Sequence, residues 1–515
     1  MKAKPAGRPV LFVLLLIALA ASLARVAFIE SHLDEDACMA IGWLLSKGWR
    51  LYSDVFTHHT PLDYLPASLL AGVFGPSETA MRAFMIFVWA AAAAAVYAAL
   101  RRREAGARTA VLFALLSSQW LTYWYGQMML VENYWGYATA GALALLASPL
   151  GLEPDPSRGR AAALGALIAL ILTASPVCLP VAALLALWAA ADARWRGLGP
   201  WAAAGAAGWL AIFGAWAFVH ADLGLLWTHV VVFNRDVYAR FCGAGASPIA
   251  GFWRGALESI AGDFASAFAW RSLEGYFEGL MKLVALGWIA WSLAARRPLE
   301  AAWKLAFLIA LRSRPEHMRN APPFHAAPFY LASTLVGASA LAHAWGALGP
   351  SRRRRAAFAA AAAAMLLPTL GATSLETASL RPYAHPDAAY ESVVAAVRAC
   401  TAPEDRAAAF PFEPRFYLDA ERLPAAPGVF YLPWQDAWEP QRRATLAALA
   451  RERPKVVLIR EMTVWGVPWS EFGAGIIAWL KTERYASVVP GAELQLFVRR
   501  DAAPSFVACA RRAAR

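Results

Sequence analysis

The feature that most constrains the fold is a series of apolar runs separated by short clusters of arginine and lysine. The first run, residues 10–29, is long enough to cross a bilayer, because a helical span takes about 20 residues. Of the 515 residues, 59% are hydrophobic and only 16% are charged, whereas soluble domains carry about 25% charged residues. The pattern predicts a predominantly α-helical, polytopic membrane protein.

The basic clusters predict how these runs are oriented. Lys2, Lys4 and Arg8 precede the first run, so the positive-inside rule keeps the N-terminus in the cytoplasm. From the N-terminus, successive apolar runs that cross the membrane in alternate directions predict about eleven spans. The predicted spans are residues 10–29, 82–100, 109–126, 134–150, two within 161–193 that are broken at Ser175-Pro176, 200–219, 278–295, 301–312, 326–346 and 356–373.

Neither the basic residues nor the cysteines indicate a nucleic-acid partner or a metal site. The net charge is +12, but the basic residues lie between apolar runs, which is typical of topology control. The five cysteines are Cys38, Cys178, Cys242, Cys400 and Cys509. They form no CxxC pair, so no cofactor or metal centre is predicted, although a requirement for a divalent metal stays open. No cleavable signal peptide is expected, because no small-residue cleavage site clearly follows the first run.

The composition changes after Thr373. Residues 375–515 carry charges throughout and contain short β-like runs that alternate with helical stretches. The β-like runs are 406–412, 455–459 and 494–499, and the helical stretches are 386–399 and 440–453. The alternation predicts a membrane domain over 1–374 and a small extracytoplasmic α/β domain over 375–515. In an oxidising compartment Cys400 and Cys509 either pair or remain buried thiols, and the sequence leaves both alternatives open.

Three consecutive acids, Asp34, Glu35 and Asp36, follow the first span and are called the acidic turn below. The predicted topology places them on the outer face. Ionisable groups at a membrane boundary cost free energy, so carboxylates there are candidates for function. The alternative is structural, because Asp is a good N-cap and acids favour the first turn of a helix.

The loop between the first two predicted spans carries the densest pattern. A membrane-surface helix is predicted over 37–49, with Ile41, Leu44 and Leu45 on one face. It is followed by Tyr52-Ser-Asp54-Val-Phe56-Thr-His58-His59-Thr-Pro61-Leu-Asp63-Tyr64, by Phe74-Gly75-Pro76-Ser77 and by Arg82. Over residues 33–82 this order resembles the GT-C membrane glycosyltransferases of the family 39 type. That type includes protein O-mannosyltransferases and the aminoarabinose transferase that acts on lipid A.

The resemblance implies an enzyme that moves a sugar from a polyprenyl-phosphate donor to a hydroxyl acceptor, with inversion, on the outer face of the membrane. It also implies that Asp34 is the catalytic acid of a pair with Glu35. Asp36, one residue further, ranks second to Asp34 and is a substrate-binding candidate, with a purely capping acid as the alternative. A positioned carboxylate suits this chemistry, because it takes the proton of a weakly nucleophilic hydroxyl. The resemblance further implies a catalytic acid before the fourth span, where this chain has Glu132. Glu132 in a solvated turn is the structural alternative.

Two further groups are substrate-binding candidates. His58 and His59 match a family position for a His or Lys before proline, close to Tyr64, although a histidine is more often structural. Arg312, Arg314 and Arg319 lie in a loop expected outside, against the positive-inside trend, and Arg suits phosphate oxygens. His325 and Tyr330 follow in a segment similar to the family's entry into the next span. The alternative is that this loop is cytoplasmic and the span count is wrong by one.

A different class of function, a transporter or flippase of lipid-linked sugars, predicts charges buried near the bilayer centre. The predicted spans are nearly free of charge, which favours a glycosyltransferase, and an inactive family member is a third alternative. The composition indicates a bacterial cytoplasmic (inner) membrane with the active site on its periplasmic or extracellular face. The expected partners are a polyprenyl-phosphate sugar and a lipid, glycan or protein acceptor. The sequence identifies neither the sugar nor the acceptor.

Overall fold

The computed structural model describes residues 8–24, 33–123, 126, 128–241, 273–312, 323–349, 351–360, 388–489 and 493–513. The chain divides into two compact units, each built from separate stretches of sequence. The helical unit comprises Met1–Glu30, Thr79–Gly214 and Ala246–Pro382, and the mixed unit comprises Ser31–Glu78, Ala215–Gly245 and Tyr383–Arg515. The predicted domain boundary at residue 374 lies outside the described residues, so the division into those two domains stays a prediction.

The described elements are numbered here in chain order. The helices are α1 Arg8–Ala24, α2 Leu33–Ser46, α3 Leu65–Phe74, α4 Glu78–Leu100, α5 Glu104–Tyr123, α6 Val131–Leu146, α7 Arg158–Ala174, α8 Leu179–Ala191, α9 Gly199–His220, α10 Leu223–Trp227, α11 Leu273–Ala294, α12 Pro298–Leu311, α13 Ala327–Ala347, α14 Ala388–Cys400, α15 Pro414–Asp419, α16 Pro433–Ala437, α17 Glu439–Glu452, α18 Trp469–Phe472, α19 Ala474–Thr482 and α20 Ala503–Ala513. The strands are β1 Ala407–Phe410, β2 Val456–Arg460, β3 Thr463–Val464, β4 Val467–Pro468, β5 Tyr485–Val489 and β6 Leu494–Arg499.

The helical unit has a helix at each predicted span that the structure describes. The break at Ser175-Pro176 is confirmed, because α7 ends at Ala174 and α8 begins at Leu179. Proline at this point cannot donate a backbone hydrogen bond and disfavours helix before it. Of the last predicted span, residues 356–360 are helical and 361–373 lie outside the described residues.

Two described helices, Glu78–Leu100 and Gly199–His220, are long and apolar enough to cross a membrane. Shorter apolar helices occur at Pro9–Ala24, Pro176–Ala191 and Gly279–Ala294. The number of eleven spans therefore stays a prediction.

Helices α7 and α9 approach each other through glycines. A Cβ atom added at Gly165 would lie 1.8 Å from the carbonyl oxygen of Ala202, and one at Gly205 would lie 1.8 Å from that of Ala162. Both distances are far below van der Waals contact, so only glycine fits at these two positions. Small residues permit such close backbone approach between membrane helices.

The mixed unit contains a four-stranded sheet in the order β1-β2-β6-β5. Strand β1 is parallel to β2, whereas β2 pairs with β6 and β6 with β5 in antiparallel fashion. Each of the three predicted β-like runs contains a strand, and both predicted helical stretches are helices. One face of this sheet packs on a core that includes Val457, Trp469, Ile476 and Leu480.

A disulfide joins Cys400 at the end of α14 to Cys509 in α20, and their Cα atoms are 5.7 Å apart. Of the two alternatives that the sequence left open, the structure therefore has the paired cysteines. The bond closes a loop with a sequence separation of 109 residues. It ties the last helix of the chain to the first helix described after residue 387.

The segment predicted as a membrane-surface helix over 37–49 is helical in α2, which begins at Leu33 and ends at Ser46, but α2 is packed inside the protein and does not lie on a surface. Its expected apolar residues Ile41, Leu44 and Leu45 are buried, and so are Glu35 and Asp36. A Cβ atom at Gly42 would lie 2.5 Å from the Cβ of Ala67, so α2 and α3 pack closely. Helix α2 is thus enclosed by protein over most of its surface, which brings the acidic turn into the interior of the mixed unit.

Candidate active site

The acidic turn forms the first turn of α2. Glu35 and Asp36 are only 2% and 4% exposed, whereas Asp34 is partly exposed. The helix begins at Leu33, so none of the three acids is its N-cap, although the positive end of the helix dipole favours their charge. Asp34 is therefore the member of the turn that a substrate can reach.

Arg415, on α15, contacts three carboxylates. Its Nη1 lies 3.6 Å from Oδ1 of Asp36 and 3.2 Å from Oε2 of Glu78, and its Nε lies 3.4 Å from Oδ2 of Asp419. The hydroxyl of Tyr390 donates to Oδ2 of Asp419 at 3.0 Å. The guanidinium of Arg415 is thus shared by three carboxyl groups. Arg415 was not among the predicted site residues, because no local pattern connects α15 to the acidic turn.

The pKa of Asp36 is raised from 3.8 to about 8. Burial is the largest cause, Arg415 lowers the pKa, and Glu35, Glu78 and Asp419 contribute smaller increases. Desolvation disfavours the charged form of a carboxyl. Asp36 is therefore largely protonated at neutral pH. A protonated carboxyl does not act as a base, so Asp36 is not suited to that role.

The His58-His59 segment is held by side chains of its own loop. Nδ1 of His59 lies 2.5 Å from Oδ2 of Asp63, and the hydroxyls of Thr57 and Tyr64 are 2.6 Å apart. Tyr64 is buried, so its hydroxyl acts inside the loop. Asp63, four residues after His59, was not among the predicted site residues, although its carboxylate orients the imidazole.

A second segment fixes the same loop from a distant part of the sequence. Thr228–Tyr238 forms a π-type helix, a rare form that occurs often at functional sites. Its Asn234 donates from Nδ2 to the carbonyl oxygen of His58 at 2.8 Å, and Nδ1 of His229 lies 3.2 Å from the carbonyl oxygen of Thr57. Burial lowers the pKa of His229, so its neutral imidazole donates this hydrogen bond.

The helical unit brings Glu132 and His325 together. Oε1 of Glu132, in the first turn of α6, lies 3.1 Å from Nδ1 of His325. His325 belongs to the short turn Pro323–Ala326 that leads into α13. Glu132 is buried, so it does not lie in a solvated turn, and its carboxylate is paired with a residue predicted from a separate part of the sequence.

Arg312 meets the same end of α13. Its guanidinium lies 5.1 Å from the ring centroid of Phe329, in the first turn of α13, and Arg312 is buried. The adjacent Tyr330 is buried as well. Glu132, Arg312, His325 and Tyr330 therefore converge on the start of α13. Arg314 and Arg319 lie outside the described residues, so their placement stays a prediction.

Two lysines qualify the expectation that the spans are nearly free of charge. Lys282 in α11 and Lys304 in α12 are both buried. Nζ of Lys304 lies 2.8 Å from Oε1 of Glu300 and 2.8 Å from Oγ of Ser292. The described residues contain no group of three or more His, Cys, Asp or Glu side chains that could hold a metal ion.

No protein-family model matches the chain, and no curated protein does. Solved structures do match. ArnT from Cupriavidus metallidurans bound to undecaprenyl phosphate is 14% identical, with a TM-score of 0.53 over 96% of this chain and 98% of that chain. The apo state of the same protein is 15% identical, with a TM-score of 0.56 over 95% and 97%.

An oligosaccharyltransferase from Archaeoglobus fulgidus, tethered to an acceptor peptide with the NVT sequon, is 13% identical, with a TM-score of 0.50 over 94% of this chain and 74% of that chain. These identities are low, and the likeness extends over nearly the whole chain. The likeness establishes the architecture: this chain has the GT-C fold, as the order of its motifs predicted.

Proposed function

We propose that this chain is a multi-pass membrane glycosyltransferase that moves a sugar from a polyprenyl-phosphate donor to a hydroxyl acceptor. The observation that carries the proposal is the acidic turn. It forms the first turn of α2, the first helix after α1 in a GT-C fold, and Asp34 is its accessible member. The similarity to ArnT bound to undecaprenyl phosphate supports a donor of the same lipid class.

In this proposal Asp34 is the general base. Its carboxylate takes the proton of the acceptor hydroxyl as the hydroxyl oxygen forms a bond to the anomeric carbon of the sugar. The bond from that carbon to the phosphate oxygen breaks, and the configuration inverts. Glu35, buried beside Asp34, is the second member of the catalytic pair in this proposal. Asp36 is largely neutral and reduces the repulsion among the three acids.

Charge on the leaving phosphate requires cationic partners that are already in position. Arg312 at the start of α13 supplies the cation in this proposal, and His325 is a hydrogen-bonding partner that Glu132 orients through their 3.1 Å contact. Arginine keeps its charge at any accessible pH and presents a fork of donors that matches phosphate oxygens. His58 and His59 are further candidates for contact with the substrate.

The outer face of a bacterial cytoplasmic membrane is the proposed location. Its support is the disulfide between Cys400 and Cys509, because disulfides persist in oxidising compartments such as the periplasm and are rare in the cytosol. The positive-inside distribution of the basic clusters supports the same orientation.

The test uses the full chain in lipid nanodiscs with radiolabelled undecaprenyl-phosphate hexose and undecaprenyl-phosphate pentose, together with lipids and glycans extracted from bacterial envelopes. The expected result is release of undecaprenyl phosphate and label on an extracted acceptor, both lost in Asp34→Asn. Movement of intact donor across proteoliposome membranes without cleavage would instead establish the transporter alternative. Neither cleavage nor movement of either donor would overturn the proposed donor class.

A further inference from the structure

We propose that Trp465, with Trp434 and Tyr238, forms a stacking surface for a saccharide ring of the acceptor. This inference rests on the proposed function, because it assigns the class of acceptor to the same site. The surface is called the Trp465 platform below. It lies entirely within the mixed unit, which also contains Asp34.

The backbone at Trp465 is unusual for its residue type. Trp465 and Gly466 form the two-residue turn between β3 and β4, with φ values of 50° and 82°. Such a turn favours Asn-Gly or Asp-Gly, since both positions require positive φ. A bulky side chain is disfavoured there. A large aromatic residue at this position needs a reason other than the stability of the turn, and backbone strain of this kind concentrates at functional sites.

The ring of Trp465 is the outer end of a continuous aromatic array. It is 39% exposed, and its centroid lies 4.6 Å from that of Trp434 and 5.7 Å from that of Tyr238. Tyr238 lies 4.6 Å from the ring of His58. The array therefore runs from the tip of an exposed hairpin to the histidine motif of the candidate active site.

A pyranose ring suits this surface for two reasons. Its axial C–H groups are apolar and weakly positive, so they pack on the negative face of an indole, as the positive edges of aromatic rings do. Its equatorial hydroxyls also lie around the rim of the ring, so they stay hydrated when an apolar face stacks on the exposed side of Trp465. A phosphate, in contrast, would find no lysine or arginine among the members of the array.

The acceptor is the saccharide that fits best. In the proposed mechanism the general base Asp34 acts on the acceptor and belongs to the mixed unit. Arg312 and His325, which we assign to the donor phosphate, belong to the helical unit. A stacking surface in the mixed unit is therefore expected to serve the substrate that Asp34 deprotonates.

The binding test uses the full-length protein, labelled with 5-fluorotryptophan, in lipid nanodiscs. Cellobiose is the probe, because the C–H groups of each glucose ring form two apolar faces, and mannitol is the control polyol without a ring. We expect cellobiose to shift the ¹⁹F resonance that is missing in Trp465→Asn, and mannitol to leave it in place. No shift up to the solubility limit of cellobiose would overturn the platform.

Trp465→Asn also separates binding from a structural role. Asparagine tolerates the left-handed backbone of this turn, so the variant is expected to keep the melting temperature of the wild type and to weaken cellobiose binding about 2- to 10-fold. A lower melting temperature with unchanged binding would make Trp465 a packing residue. The matched control is Trp479→Ala, which removes a partly buried tryptophan that lies 5.1 Å from Tyr485 and should leave cellobiose binding unchanged.

Transfer kinetics distinguish failure of the platform from failure of the proposed function. With active enzyme, Trp465→Asn is expected to raise KM for a glycan acceptor about 2- to 10-fold and to leave KM for the lipid donor unchanged. A rise in the donor KM alone would reassign the surface to the donor sugar and overturn the inference. Cellobiose binding that depends on Trp465 in a protein without transferase activity would keep the platform and refute the function.

Discussion

Arg415 lies 3.6 Å from Asp36, and yet the pKa of Asp36 is raised to about 8. An adjacent arginine ordinarily lowers the pKa of a carboxyl. Here burial is the larger effect, and Arg415 is shared with Glu78 and Asp419. At neutral pH Asp36 therefore keeps a proton that an aspartate ordinarily loses. This distinguishes Asp36 from Asp34, the proposed base.

Replacement of Asp34 tests the proposed base. We expect Asp34→Asn to leave the fold intact and to lower sugar transfer by about 10²-fold or more, the usual contribution of a general base. Initial rates of undecaprenyl phosphate release measure the change. Asp54→Asn is the matched control, because Asp54 is exposed and accepts a hydrogen bond from the backbone of Arg50. Wild-type rates in Asp34→Asn would move the role to Glu35.

The raised pKa of Asp36 predicts a specific pH dependence of stability. Between pH 3.8 and about 8 the native state keeps a proton that the unfolded chain releases. The free energy of unfolding therefore falls as pH rises through this window, by up to about 1.4 kcal/mol per pH unit. Asp36→Asn removes this contribution. We expect its thermal unfolding midpoint to depend less on pH than that of the wild type, and parallel curves for the two proteins would contradict the assignment.

Substitutions of Arg312 test the proposed phosphate site. Arg312→Ala removes a buried cation, and we expect it to raise the donor KM, to lower kcat, and to lower kcat/KM for the donor by about 10- to 100-fold, as loss of a charge-assisted hydrogen bond does. Arg312→Lys keeps the charge but loses the planar fork that packs on Phe329, so it should recover only part of the activity. An effect on the acceptor KM alone would place Arg312 elsewhere in the site.

The close contact between α7 and α9 predicts a position-dependent effect of alanine. Gly205→Ala places a Cβ atom 1.8 Å from a carbonyl oxygen, whereas Gly208, on the same helix, has no heavy atom within 4 Å of the added Cβ. We expect Gly205→Ala to destabilise the protein by about 1–3 kcal/mol, as overpacking does. Gly208→Ala should be neutral or slightly stabilising. Thermal unfolding in detergent compares the two, and equal midpoints would exclude this helix contact.

The disulfide between Cys400 and Cys509 predicts both a redox state and a location. Mass spectrometry after alkylation of intact cells should find these two thiols blocked and Cys38 and Cys178 reduced, as in the structure. Paired Cys400→Ser and Cys509→Ser substitutions should lower stability by about 2–5 kcal/mol. Alkylated Cys400 in wild-type cells would indicate that residues 388–513 lie in the cytoplasm.

Local patterns in the sequence predicted much of the fold. The hairpin break at Ser175-Pro176 was predictable because proline acts on its own backbone and on the residue before it. The strands at Ala407–Phe410 and Leu494–Arg499 were predictable from short apolar runs between helical stretches. The sequence could not assign Ser31–Glu78 and Ala215–Gly245 to the same unit as the C-terminal residues, because that grouping depends on contacts between distant segments.

The residues of the candidate site, too, could be predicted from the sequence only where the signal was local. The order of residues over 33–82 indicated the acidic turn and His59, and the four-residue spacing of His59 and Asp63 was a signal that could have identified their contact. Arg415 and Asn234 had no such signal. Each contacts its partner across a long stretch of chain, and a lone arginine or asparagine in a loop-rich segment is common. Only the three-dimensional contacts distinguish these two residues.

The contact of Arg415 with Glu78 also has a consequence for biosynthesis. The two residues are 337 positions apart in the chain, and ribosomes add about 5–20 residues per second. Glu78 is thus synthesised on the order of 20–70 s before Arg415. Strand β1 is synthesised only shortly before Arg415. A nascent or prematurely terminated chain lacks both β1 and Arg415. Under the proposed function, an unfinished chain is therefore expected to lack transferase activity, because the contacts of Arg415 with Asp36 and Glu78 have not yet formed.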